Sequence, residues 1–180
     1  NLPREERFLA ENTILVGLMP GPKESKTDKI NNYLRPLVDE LLELYVGIHV
    51  PPYEHPAGTQ IRAALLMVAC DIPAARKTSG FTAHNSTCAC YKYNKQFPRL
   101  EGSSAVDFSG FDTDQWQPKN NDMNRFHAEE WESASTPSER QQLEVENGVR
   151  WLQLYCLRYF DLVRGTIIDP MHNLFLGMAK

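Results

Sequence analysis

The pattern of apolar and polar positions in the first third of this chain predicts a strand, a helix and an irregular connection. Residues 13–18 (TILVGL) form a β-branched apolar run before Met19-Pro20-Gly21-Pro22, which predicts a buried strand stopped by proline and glycine. Apolar positions spaced three and four apart over residues 27–45 predict an amphipathic helix, loosened at Pro36. Residues 47–58 contain three prolines and predict a connecting loop.

Two later apolar runs each end on an aspartate. Residues 63–70 are apolar throughout, as expected for a strand covered on both faces of an α/β sheet, with a buried helix as the alternative. Asp71 directly follows this run, where the chain is expected to turn sharply. Residues 163–168 predict a second short strand, after which Asp169-Pro170 predicts the N-cap of a terminal helix.

The part of the chain between these runs predicts an insertion of loop and helices. Residues 98–122 carry Gly, Ser, Asp and scattered aromatics without periodicity, which predicts an exposed loop. Residues 124–134 predict a helix, and the capping box Thr136-Pro137-Ser138-Glu139 opens another that ends near Asn147-Gly148. Residues 151–160 predict an aromatic packing segment. The predicted divisions are 1–97, 98–162 and 163–180.

Composition and charge narrow the functional classes. With 180 residues, 42% of them hydrophobic, the chain can bury a substantial core. The formal net charge of -4 gives no overall basic signal for nucleic acid. Four cysteines without a signal-like segment favour a reducing intracellular compartment, and no apolar stretch predicts a membrane span. Since the chain opens on Asn1-Leu2-Pro3 without an initiator Met, it reads like a piece of a longer protein.

Asp71 and Asp169 are the candidate acids. Carboxylates that meet at the ends of adjacent strands bind Mg²⁺ through hard oxygen ligands, and such ions support phosphodiester transfer. The alternative is structural, because an aspartate before a proline also caps turns and helices. The residues alone leave both interpretations open.

Two further groups of residues are candidates for binding. Arg76 and Lys77 follow Asp71 and could hold a phosphate backbone, or lie on a solvated turn. His84, Cys88 and Cys90 form a small group of soft ligands that His127 could complete, although the C-x-C spacing differs from that of usual zinc sites. The sequence contains no phosphate-binding P-loop, no G-x-S-x-G and no H-E-x-x-H motif.

Six ordered blocks carry a family resemblance. They are Asn1-Leu2-Pro3-Arg4-Glu5-Glu6-Arg7, Met19-Pro20-Gly21-Pro22, Tyr33-Leu34-Arg35-Pro36-Leu37-Val38-Asp39-Glu40-Leu41, Arg62-Ala63-Ala64-Leu65, Asp71-Ile72-Pro73-Ala74-Ala75-Arg76-Lys77 and Ile168-Asp169-Pro170-Met171-His172-Asn173. Together they resemble transposases of the CACTA (En/Spm) type, in the form found in fungal genomes.

The resemblance implies an RNase H-like core of the DDE/D class that uses Mg²⁺ or Mn²⁺ to cut transposon ends and join them to target DNA. Asp71 matches the second acid, and Asp169 is the candidate for the third, unless that acid lies beyond Lys180. The first acid would precede Asn1, so we expect this piece alone to be inactive. The implied partner is DNA in the nucleus, and the family allows a homo-oligomer.

One departure from the family pattern concerns zinc. Members usually carry C-x₂-C after a Gly-Phe-x-x-His stretch, whereas Tyr93 stands here where the second cysteine belongs. A zinc site of His84, Cys88 and Cys90 would therefore be degenerate. Two alternatives stay open: a degenerate or domesticated transposase-derived binding module without catalysis, and a metal-dependent nuclease unrelated to transposition.

Overall fold

A computed structural model describes residues 2–21, 25–51, 53, 56–110 and 112–175. Its helices and strands, in chain order, are α1 (Ile30–Val46), β1 (Ile48–Val50), β2 (Thr59–Ile61), α2 (Ile72–Ser79), α3 (Asn121–Ser133), α4 (Pro137–Asn147) and the single turn α5 (Leu162–Gly165). Short 3₁₀ turns lie at Ala10–Asn12, Thr27–Lys29, Thr113–Gln115 and Gln153–Cys156, and a π-helical turn lies at Met171–Phe175. Within the described ranges, no helix is long and apolar enough to cross a bilayer.

Helix α1 confirms the prediction from its apolar periodicity. Ile30 and Val38 are completely buried on one face, and the helix continues through Pro36. It ends at Gly47, whose φ of 114° is a conformation that glycine adopts readily. The stripe of apolar residues therefore selects the face that meets the core.

The main core forms where α1 packs on the segment after α4. The buried side chains of this cluster are Ile30, Val38, Ala128, Val149, Leu152, Leu154, Tyr155, Leu157, Phe160 and Leu162. Asn31 Oδ1 accepts a hydrogen bond of 2.8 Å from the backbone N–H of Gln153. The rings of Tyr45 and Tyr159 stack with centroids 4.0 Å apart. The predicted aromatic packing segment is confirmed.

Helices α3 and α4 follow each other in the chain, are joined by a short turn and pack against each other. Thr136 Oγ1 accepts a hydrogen bond from the Glu139 N–H, which confirms the predicted N-cap of α4. Glu139 Oε2 in turn accepts from the N–H of Ser135. Gly148 ends α4 with φ 69°, as the Asn-Gly signal predicted.

The predicted strands differ most from the structure. Residues 13–18 form no strand, and Ile14, Leu15 and Leu18 are at least 80% exposed. Residues 63–70 are irregular apart from one bridge at Val68, and 163–168 begin as the turn α5. The physical reason is pairing: a β-branched run forms a strand only where a neighbour takes its backbone hydrogen bonds.

The sheet of the described residues lies where a loop was predicted. Strand β1 falls inside residues 47–58 and pairs antiparallel with β2, with Ile48 opposite Ile61. The prolines thus leave room for a three-residue strand before them. The segment 98–122 has no long helix or strand before α3, as predicted, and Phe97 anchors it through edge-on contacts with Phe108 and Trp116.

Candidate functional site

The two candidate acids follow paired segments of backbone. Val68 and Thr166 form a parallel bridge, in which Val68 N–H donates to Gly165 O at 2.8 Å and Ile167 N–H donates to Val68 O at 3.1 Å. Asp71 and Asp169 each lie three positions beyond a bridged residue. Since the two paired segments run in the same direction, Asp71 and Asp169 both follow the C-terminal end of the pairing.

Asp71 caps helix α2. Its Oδ1 accepts a hydrogen bond of 2.8 Å from the Ala74 N–H, and the residue is exposed to solvent. Its second oxygen, Oδ2, accepts no hydrogen bond from the described residues. The structural role predicted for an aspartate near a proline is therefore present, and one carboxylate oxygen remains open toward solvent.

Asp169 starts the final described turn. Its Oδ1 accepts from the Met171 N–H at 2.8 Å, and its Oδ2 lies 2.6 Å from His172 Nδ1. The contact with His172, and then the Met171 N–H, hold the pKa of Asp169 below its usual value. This carboxylate stays ionised to a lower pH than an ordinary aspartate.

Cys70 lies close enough to both acids for each of them to affect its ionisation. Burial raises the pKa of the Cys70 thiol, a hydrogen bond with Thr78 opposes this, and the carboxylates of Asp71 and Asp169 raise the pKa further. Burial and the two carboxylates therefore favour the neutral thiol of Cys70. This shared neighbour is the second sign, besides the backbone bridge, that the acids belong to one region.

Arg76 and Lys77 have different surroundings. Arg76 is 7% exposed and donates to the backbone carbonyls of Thr82 and Ala89, with its guanidinium 5.2 Å from the centre of the Tyr91 ring. Burial lowers its pKa. Arg76 therefore holds the loop after α2, whereas the half-buried Lys77 lines a surface groove. A DNA contact by either residue stays a prediction.

The soft ligands are dispersed. Cys88 Sγ lies 3.4 Å from Val145 O and 3.5 Å from Glu146 O, at the end of α4. His84 is exposed, and His127 Nδ1 pairs with Glu130 Oε2 at 3.1 Å. In the described ranges, no three His, Cys, Asp or Glu side chains form a group that could hold a metal ion. The degenerate zinc site of His84, Cys88 and Cys90 and the magnesium site of Asp71 and Asp169 both stay predictions.

Comparison with known families identifies the chain. The model of the family described as "Transposase family tnp2" matches residues 1–150. The chain belongs to this transposase family. No curated protein and no solved structure matches it.

The tnp2 match covers some of the candidate residues and not others. Asp71, Arg76, Lys77 and the Cys/His stretch all lie inside the matched residues, whereas Asp169 lies beyond them. Asp169 is thus joined to the family segment by the Val68–Thr166 bridge rather than by the family match itself. The family implies an interaction with DNA in the parent transposase.

Sequence reasoning missed several cations that this tnp2 chain brings together. Lys26, Arg140 and Arg150 share a groove with Lys77, although they come from separate parts of the chain. Each reads in the sequence as an isolated charge on a solvated face. No local signal could have joined them, since their proximity depends on distant segments of the chain lining the same groove.

Proposed function

We propose that this tnp2 family chain is part of a CACTA (En/Spm)-type transposase of the fungal form, which cleaves transposon ends and transfers the strands to target DNA. The proposal includes an RNase H-like arrangement, a nuclear location and a homo-oligomeric assembly on DNA. Asp71 is the proposed second acid and Asp169 the third, and the first acid would be supplied by residues upstream of Asn1. Residues 1–180 alone would then be inactive.

The observation that carries this proposal is the parallel bridge of Val68 with Thr166. It gives Asp71 and Asp169 equivalent positions after paired segments, and the charge of each acid raises the pKa of the Cys70 thiol. An exposed carboxylate with an open oxygen, and a second acid held ionised by His172, are hard oxygen donors that fit Mg²⁺ or Mn²⁺.

The chain's own groups would perform the positioning. Asp71 and Asp169 would hold the ion, which when bound lowers the pKa of water and neutralises charge on a phosphate. The cap on α2 restrains the Asp71 carboxylate, because the Ala74 N–H donates a hydrogen bond to its Oδ1. His172 restrains Asp169 in the same way. The fixed carboxylates lower the cost of assembling the site.

The test uses the full-length transposase and DNA that carries its terminal repeats. Asp71→Asn should abolish cleavage in Mg²⁺ or Mn²⁺ while leaving DNA binding intact, because the amide still caps α2 but lacks the charge. Asp161→Asn is the matched control, since Asp161 caps α5 through Arg164 N–H and is not proposed to bind metal. Cleavage by Asp71→Asn at the wild-type rate would remove Asp71 from the catalytic set.

A second candidate function is a transposase-derived binding or assembly module without catalysis. It is favoured by the dispersal of the described potential ligands, which form no group of three. Absence of cleavage by the full-length protein, combined with retained DNA binding, would support this candidate. Cleavage by residues 1–180 alone would contradict both this candidate and the proposed inactivity of the piece.

A further inference from the structure

A continuous groove runs from helix α2 to helix α4. One section has a volume of about 680 Å³ and is lined by Lys26, Lys77, Arg140 and Arg150, among others. The adjoining section, of about 200 Å³, reaches Pro73 on the first turn of α2. The two sections share Thr27, Lys77 and Arg150, so they form one groove.

The charge of this groove is opposite to that of the chain. Four cations, Lys26, Lys77, Arg140 and Arg150, line the larger section, and Glu144 is the sole carboxylate among its lining residues as described. Glu144 is engaged within the groove wall, because its Oε2 lies 2.8 Å from Arg150 Nη2 and its Oε1 accepts from Trp131 Nε1 at 3.0 Å. Cations therefore outnumber carboxylates among the described lining residues, on a chain whose formal net charge is -4.

Arg140 is held in position within the groove. Its guanidinium lies 4.9 Å from the centre of the Trp131 ring, and its Nη2 donates to Glu132 O at 3.2 Å. Its Nε is buried and has no hydrogen-bond partner among the described residues. The ring contact and the hydrogen bond to Glu132 O restrict the rotamers of Arg140 before any ligand binds, which lowers the entropic cost of binding an anion.

The groove also reaches the helix that the candidate acid caps. Pro73 and Lys77 are four positions apart in α2 and lie on one helix face. Asp71 caps the same helix immediately before its first turn. A polyanion that follows the groove from α4 would reach the helix end where Asp71 is exposed.

We infer that this groove binds the phosphate backbone of double-stranded DNA, with Lys26, Lys77 and Arg140 as contacts, and directs the strand toward Asp71. The inference rests on the proposed transposase function and names the surface that would hold its substrate. Phosphate contacts carry no sequence information, so the groove binds terminal-repeat DNA and a scrambled duplex equally. The phosphates of a DNA strand are regularly spaced, which suits cations that line a groove. The Arg150–Glu144 ion pair forms part of the groove wall.

The test measures fluorescence anisotropy of a labelled duplex with the 180-residue chain at several salt concentrations. Binding by the Lys26→Gln, Lys77→Gln, Arg140→Gln triple variant should be weaker by at least about tenfold, and the slope of log K against log salt should become shallower by about 2 to 3. The control triple, Arg35→Gln, Arg158→Gln, Arg164→Gln, removes the same charge from exposed positions outside the groove. It should bind within about twofold of the wild type, allowing for long-range charge effects.

A charge-conserving triple variant guards against misfolding. Lys26→Arg, Lys77→Arg, Arg140→Lys should bind DNA like the wild type, and circular dichroism should show every variant folded. Equal losses in the groove and control triples would overturn the inference, as would absence of DNA binding by the wild type or equally tight binding of an acidic peptide. Failure here leaves the Asp71→Asn cleavage test unaffected, so the two proposals can fail separately.

Discussion

Val68 and Thr166 pair as a parallel bridge, in which Val68 exchanges hydrogen bonds with the two neighbours of Thr166, Gly165 and Ile167. Tyr91 Oη supports the second segment by donating to Ile167 O at 3.2 Å, and Lys92 Nζ donates to the carbonyls of Val163 and Thr166. The bridge is thus one part of a wider set of hydrogen bonds. These hydrogen bonds hold the backbone segments that precede Asp71 and Asp169, without any metal or DNA.

Replacement of Asp71 should separate its structural and chemical roles. Asp71→Ala removes the acceptor of the Ala74 N–H and should lower the free energy of unfolding by about 1 kcal/mol. Asp71→Asn keeps an acceptor and should stay within about 0.5 kcal/mol of the wild type. Urea denaturation measures both. Equal destabilisation by the two variants would mean that the charge, rather than the hydrogen bond, stabilises α2.

Removal of Arg125 should be strongly destabilising. Its Nη1 donates to Tyr155 O at 2.7 Å, and its Nη2 donates to Leu157 O and Phe160 O at 2.9 and 2.7 Å. Arg125→Met leaves these carbonyls without their donor and should cost about 3 kcal/mol or more. The exposed Arg158→Met is the control and should change stability by less than about 0.5 kcal/mol in the same denaturation measurement. Similar losses of stability in both variants would contradict a stabilising role for the hydrogen bonds of Arg125.

Gly148 is required for two separable reasons. Its φ is 69°, and a Cβ at this position would lie 2.5 Å from Cys88 Cβ. Gly110 has a similar φ of 74° but open space around it. Gly110→Ala should therefore cost about 1 kcal/mol from the backbone alone, and Gly148→Ala clearly more. Thermal unfolding of the two variants compares them, and equal shifts in Tm would exclude the steric contribution.

Asp169 should titrate below an ordinary aspartate. Because its pKa is lowered in the folded state, the stability it contributes is present above the unfolded pKa and is lost as the pH falls through the folded pKa. His172→Ala removes the first cause of the shift, so the pKa of Asp169 should rise toward its usual value. Carbon-13 NMR of the carboxyl group measures this change.

The titration has an internal control in the same spectra. Hydrogen bonds with Ser109 lower the pKa of Asp107, and this group is exposed and independent of His172. The pKa of Asp107 should therefore not change in His172→Ala. An unchanged Asp169 in that variant would show that the Met171 N–H, rather than the histidine, lowers its pKa.

The helices were predictable because their signals are local. The apolar stripe of α1, the Thr136 cap of α4 and its Gly148 end all depend on residues within one or two turns of each other. The strands were not, because pairing is decided by distant backbone. Residues 13–18 have the composition of a strand and are exposed, whereas Ile48–Val50 pairs in a segment rich in proline.

The candidate site likewise has one part that the sequence predicts and another that depends on the tertiary structure. The sequence by itself determined that Asp71 and Asp169 end apolar runs, and its ordered blocks led to the transposase family that residues 1–150 match. Only the tertiary structure decided that the two acids follow bridged segments, that Arg76 is buried under Tyr91, and that Lys26, Lys77 and Arg140 share a groove. Helix signals and caps act over neighbouring residues, whereas pairing, burial and shared charge arise when distant segments pack together.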